Sequence, residues 1–405
     1  MSHSSELRAF LLAAVPALAA CSQSVTGSDA AAPPDVVVDA SAPDASAPDV
    51  VSDVGRDTGA DAPLCSFGTP RRECLTMAQA EARIRNPVGE MPMRDAGSDD
   101  VPLDVPVASN GCYAASALTD DCCNRAVLVE REGDTCCYTF CTGACCGRPF
   151  AIDGGARVAA LCESDAWCSR GELASLDAVT RDALAAAWRR DALMEHASIA
   201  SFARFTLHMM ALGAPPALVA DAQRAALDEV DHARSCFDIA ARIDGGVLGP
   251  GALDVKGALG AMSVAEAVRA AVLEGCVGET CAALVARSRR DAARDDAVRD
   301  ALGRIASDES EHAALAWRFV VWAIATGGEE ARESAGRAFR EARSIAAPGE
   351  LRDGVDEVAW SAYGMLTPRE EHAVMRAAID EVVTPCARAL LASAVRSERA
   401  VTVVS

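Results

Sequence analysis

The chain has a single lysine, Lys256, in 405 residues, and aromatic side chains make up only 4% of it. That lysine does not stand in a G-x-x-x-x-G-K-[ST] loop, which excludes Walker-type nucleotide chemistry and leaves Schiff-base chemistry almost without a candidate. The formal charge of −21 leaves no broad basic face for a phosphate backbone, so no nucleic acid is expected as a partner. With aromatics scarce and alanine and leucine abundant, the composition favours helices over sheets. At 51% hydrophobic residues the length allows two or three domains and more than one core, and a mainly α main domain is expected.

The N-terminus reads as a targeting segment. Arg8 precedes the apolar run Ala9–Ala20, which is too short to span a bilayer as a mature helix. The run ends in Leu18-Ala19-Ala20-Cys21, which resembles a bacterial lipobox. That resemblance implies a signal peptide over 1–20, acylation of Cys21 and, with Ser22 following, an outer-membrane lipoprotein of the cell envelope. Residues 21–64 are Ala, Asp, Pro, Ser and Val with eight aspartates and one arginine, Arg56, which predicts a self-repelling tether that buries nothing.

From 65 to 170 the chain is cysteine-rich, with Cys65, Cys74, Cys112, Cys122, Cys123, Cys136, Cys137, Cys141, Cys145, Cys146, Cys162 and Cys168. An even set in an exported, loop-rich stretch predicts a small disulfide-rich module with six bridges. None of the twelve forms a C-x-x-C pair, so the usual ligand spacing of a rubredoxin-type iron site or a zinc ribbon is missing.

Residues 171–328 switch to long amphipathic helical patterning. Breaks fall at Gly213-Ala214-Pro215-Pro216, around Asp244–Ser263 and around Asp291–Asp296. Four helices follow. The first and last breaks suit antiparallel hairpins, while the middle one, reaching about 60 Å when extended, can cross the length of a bundle. Further helical stretches fill 329–405, one opened by a cap at Thr367-Pro368 with Glu370 three residues on.

Two copies of one pattern stand on the second and fourth helices: Asp228-Glu229-Val230-Asp231-His232-Ala233 and Asp308-Glu309-Ser310-Glu311-His312-Ala313. A spacing of three puts glutamate and histidine on one helix face, roughly 5–6 Å apart at Cβ, so both reach one ion. Glu195 precedes Glu229 by 34 residues and Glu274 precedes Glu309 by 35, so the two hairpins are register-matched. Glu274 is therefore the expected fourth glutamate, with Glu279 as the alternate ligand. Four inward glutamates and two histidines make the di-iron or di-manganese carboxylate arrangement of a helix bundle. Two divalent ions would neutralise the four carboxylates, and hard oxygen donors with imidazole suit iron or manganese. Cys236 and Cys281 fall on the ligand faces below the site, to pair or to stay as buried thiols.

These runs, together with Glu195-His196-Ala197-Ser198-Ile199-Ala200-Ser201-Phe202 and Leu273-Glu274-Gly275-Cys276-Val277-Gly278-Glu279-Thr280, resemble the ferritin-like superfamily. The pattern resembles that of bacterial members with a rubrerythrin- or hydroxylase-type di-iron bundle. The resemblance implies that Glu195, Glu229 and His232 hold one metal and Glu274, Glu309 and His312 the other, with Glu229 and Glu309 bridging. It further implies that Asp228 and Asp308 orient the histidines, each accepting from the ring N–H of the opposite pair. The expected function is an exported oxidoreductase with two iron ions, or manganese, acting on dioxygen, peroxide or a small-molecule substrate. The competing expectation is a non-catalytic surface lipoprotein whose cysteine-rich module binds a partner and whose metal only staples the helices.

Overall fold

The computed structural model describes residues 2–19, 71–85, 107–114, 125–141, 148–152, 155–169, 173–260, 263–343, 348 and 350–392. The protein is mainly helical. Cys21, the expected site of acylation, the expected tether over 21–64 and the residues beyond 392 lie outside the described residues.

The leader-like segment forms α1 (His3–Ala14) and α2 (Pro16–Ala19), with Ser2 capping α1 through the Ser5 amide. Its apolar face is packed rather than free: Leu7, Leu11 and Leu18 are fully buried. His3 lies 2.7 Å from Asp291, and Glu6 3.9 Å from Arg287, so a hydrogen bond and an ion pair flank the apolar contact. No helix among the described residues is long and apolar enough to cross a membrane.

The cysteine-rich part contains a three-stranded antiparallel sheet in the order β1–β3–β2, formed by β1 (Arg71–Thr76), β2 (Arg125–Glu132) and β3 (Thr135–Cys141). Helix α3 (Met77–Arg85) follows β1 directly. Gly133, at φ 59°, starts the two-residue turn between β2 and β3, a conformation a glycine adopts without a Cβ clash. Cys74–Cys137 and Cys112–Cys136 are disulfides. The expectation of six bridges is corrected at its end, because Cys162 and Cys168 are both thiols. The physical reason is that this stretch is fixed by other means. Here β4 (Ala151–Ile152) pairs with β5 (Gly155–Ala156), and β6 (Leu161–Glu163) carries Cys162 opposite Gly249. The Cys168 thiol donates to the Leu248 carbonyl at 3.4 Å. Cys65, Cys122, Cys123, Cys145 and Cys146 lie outside the described residues.

The long helices begin with α4 (Ala178–Ala211), capped by Asp177 through the Thr180 amide, and α5 (Pro216–Asp244). Gly213 at φ 72° turns the chain between them, and Pro216 occupies the first turn of α5, where a missing N–H costs nothing. The crossover after Gly245 includes β7 (Leu248–Pro250), the partner of β6. The third helical stretch starts at α6 (Val264–Ala270) under a capping box of Ser263 and Glu266, widens into a π-helix over Ala271–Glu279, and returns to α7 (Thr280–Ala292). Helix α8 (Asp296–Glu341) pairs with all three parts of that stretch and with α5, while α4 pairs with α5. At Gly328 (φ 60°, ψ −143°) α8 is interrupted, so its last thirteen residues leave on a new course. Helices α9 (Glu357–Ala362) and α10 (Pro368–Ala377) close the fold, the latter under the Thr367/Glu370 capping box. A second π-helix, Ala378–Val383, packs against α1 and α7.

Candidate metal centre

Glu229 and His232 share the inward face of α5, as Glu309 and His312 do on α8, because a spacing of three keeps each pair on one side. All four side chains are about 1–2% exposed. Nδ1 of His312 is 3.2 Å from Glu229 and 3.6 Å from Glu309; Nδ1 of His232 is 3.6 Å from both. The opposite ring nitrogens point outward. Nε2 of His232 is 3.1 Å from Asp308, and Nε2 of His312 is 3.2 Å from Asp228. Each carboxylate accepts the Nε2 proton of the other helix's histidine, and that turns both Nδ1 atoms inward.

Two sets of donor atoms result. Glu195, Glu229, His232 and Glu309 offer ligand atoms all within 4.8 Å of one another, and so do Glu229, Glu279, Glu309 and His312. Glu229 and Glu309 belong to both. Glu195 is the one partly exposed member. Five atoms of the cluster are buried without a hydrogen-bond partner: Nδ1 of both histidines and one oxygen each of Glu229, Glu279 and Glu309. Orphaned buried donors and acceptors are expensive, and their convergence fits cations that would satisfy them together.

The fourth glutamate differs from the expected one. Glu274 lies outside the cluster: its carboxylate accepts from Ser201 Oγ and from Arg204, both at 3.1 Å, on α4. Glu279, wholly buried, stands in the second donor set in its stead. Register-matching of the hairpins assumes 3.6 residues per turn throughout, whereas the stretch 271–279 is π-helical and inserts residues without the corresponding advance. The two glycines of that stretch are its one local signal. A Cβ on Gly275 would collide with the Ala316 side chain, so close approach to α8 requires glycine there.

The electrostatics follow from crowding. Burial, then the neighbouring Glu229 and Glu309, push Glu195 well above the ordinary carboxylate range. Burial and Glu309 do the same to Glu279, with Arg148 opposing. Glu229 is the exception: burial works against it, yet the flanking His232 and His312 hold it far below that range. Burial also opposes the charged histidines, but Asp308 and Glu229 raise His232, and Asp228, Glu229 and Glu309 raise His312. With side chains alone, protons stand where cations would otherwise balance the carboxylates.

Sequence reading missed Arg148, Ser201 and Arg204. Arg148 comes from outside the long helices and enters the centre with its guanidinium 1% exposed, donating from Nε to Glu279 at 3.3 Å. No local pattern around Arg148-Pro149-Phe150 marks it. His196 packs edge-on to Trp167 at 5.4 Å and belongs to neither donor set. Cys236 and Cys281 remain buried thiols, with burial pushing Cys281 up to about 12. No known protein family, curated protein or solved structure matches the chain.

Proposed function

We propose that α4, α5, the α6–α7 stretch and α8 form a ferritin-like four-helix bundle that holds two iron ions, or manganese, and that the protein is an oxidoreductase acting on dioxygen or peroxide. The observation that carries this reading is the pair of crossed Asp–His links, which orient both Nδ1 atoms towards the two shared glutamates, Glu229 and Glu309. Glu195, Glu229, His232 and Glu309 would hold one ion, and Glu229, Glu279, Glu309 and His312 the other, Glu229 and Glu309 being common to both sets. Carboxylate oxygen and imidazole nitrogen suit iron or manganese over thiol-seeking metals. Four glutamates against two divalent ions make a neutral cluster, which removes most of the cost of burying four carboxylates. Bound iron supplies redox equivalents for reducing dioxygen or peroxide.

The chain's own residues have three tasks. Asp228 and Asp308 fix the histidine tautomers. The buried Phe202 and Phe205 of α4, packed on His312 and Arg148, exclude water from that side of the centre. Glu195, the one member that is not wholly buried, is the group with most room to shift. Export by the 1–20 segment and acylation at Cys21 would put this activity at the outer membrane.

Metal content per chain tests the reading first. About two iron or manganese ions per chain, together with dioxygen or peroxide consumption by the ferrous protein, would support it. Two ions without any consumption would leave a stapled bundle and shift the search to the cysteine-rich module. No uptake after anaerobic reconstitution would end the metal-centre reading.

A further inference from the structure

The two donor sets differ in what surrounds them. Glu195 has no arginine or lysine within ion-pair distance among the described residues. Glu279, its counterpart, carries one: Arg148, with Nε 3.3 Å from Oε1. The arginine is held from several sides. Its guanidinium lies over the Phe202 and Phe205 rings at 4.5 and 4.4 Å. Its carbonyl accepts from Ser198 Oγ at 2.8 Å, and Gly275 leaves it room, since a Cβ there would stand 2.8 Å from Arg148 NH2. Glu274 lies 3.9 Å away and only partly offsets it, because Glu274 is already paired with Arg204. The NH2 group is buried and without a partner.

We propose that Arg148 is a positioning residue that sets the two metal positions apart, making the Glu279/His312 position the weaker of the two and the second to fill. This rests on the di-metal reading above. A fixed positive charge beside a ligand oxygen competes for its lone pairs and repels an incoming cation. A full charge at this separation shifts a neighbouring equilibrium by one to three powers of ten, so the two positions should differ by about tenfold or more. The Glu195 position, with no such neighbour, fills first. Arg148 belongs to the cysteine-rich side of the chain, so the loading order of the helices is written from outside them.

The test is a calorimetric titration of the chelator-treated full chain with cobalt(II) at one fixed pH. The wild type should show two steps, and Glu279→Ala should abolish the weaker. Arg148→Met should tighten the weaker step by about tenfold and leave the tighter one in place, while Arg148→Lys keeps them apart. Glu274→Gln, which removes the charge that partly offsets Arg148, should widen the separation and serves also if Arg148→Met fails to fold. Two steps that Arg148→Met and Glu274→Gln leave equally spaced, or loss of the tighter step in Glu279→Ala, would overturn this proposal alone. No uptake by the wild type would overturn it together with the metal centre itself.

Discussion

Asp308 on α8 reaches across to Nε2 of His232 on α5 at 3.1 Å, and Asp228 on α5 returns the contact to His312 on α8 at 3.2 Å. The two D-E-x-x-H runs are thus tied to each other by their aspartates as well as through any ion they share. Asp308 and Asp228 are 36% and 41% exposed, so neither is required for packing. Asp308→Asn and Asp228→Asn should each weaken metal binding by about 10- to 100-fold with little change in melting temperature. Competition against a chelator of known affinity measures this; an unchanged affinity in both variants would remove the aspartates from the centre.

Glu274 and Glu279 make separable predictions. Glu279→Ala should reduce uptake to about one ion per chain, whereas Glu274→Ala should keep about two, as counted by plasma mass spectrometry. The reverse outcome would mean that the helix carries Glu274 inward when metal is bound.

The chelator-treated protein should lose stability as pH rises. Glu195 and Glu279 titrate well above ordinary carboxylates because they are buried beside other carboxylates. Between the ordinary value and the raised one the folded chain keeps protons that the unfolded chain has released, so raising the pH favours unfolding. His232 and His312 act in the same sense: burial opposes their charge but Asp308 and Asp228 raise them, so their stabilisation is complete below the ordinary histidine value and is lost above it. Glu229, held low against its burial, counters this only in acid, where its stabilisation is lost as pH falls. The melting temperature should therefore be lower near about pH 9 than near about pH 6, and added metal, which replaces protons, should raise it more at the higher pH. A melting temperature that climbs with pH in chelator would contradict these directions.

Removing the N-terminal segment should uncover an apolar face. Leu7, Leu11, Val15 and Leu18 are 0–2% exposed against the long helices, and each buried side chain of this size contributes about 1.5–3 kcal/mol. A form starting at Ser22 should bind an apolar dye or self-associate more than the intact chain, as read by fluorescence and sedimentation. Equal behaviour of the two forms would show that the face is covered by something else.

Cys236 and Cys281 should resist alkylation in the native state. Burial raises both thiols, Cys281 to about 12, and neither side chain is more than 1% exposed. Iodoacetamide followed by mass spectrometry should label them only after denaturation.

Much of the centre could be picked out from the sequence because its pairs sit on regular α-helices. Glu229 with His232 and Glu309 with His312 need only a spacing of three, and Glu195 follows by counting back along a regular hairpin. Glu279 could not be chosen over Glu274 by the same count, since a π-helix changes the residues per turn without a compositional mark strong enough to announce it. Arg148 was invisible for a different reason: its partner is 131 residues away, and no spacing rule connects an irregular segment to a helix interior. The extra bridges expected at Cys162 and Cys168 came from a rule about compartment and even counts, which says nothing of local strand pairing.

The widened turn at 271–279 also fixes how long this helix has to be. Each residue of an α-helix turns the chain by about 100°, so deleting one residue from the stretch would rotate everything after it relative to everything before. The faces at stake are Val268 and Ala271 on one side and Cys281, Leu284 and Val285 on the other, all buried in the same core. Substitutions along the stretch can be absorbed one side chain at a time. A single-residue deletion would have to choose between the buried glutamate and the core.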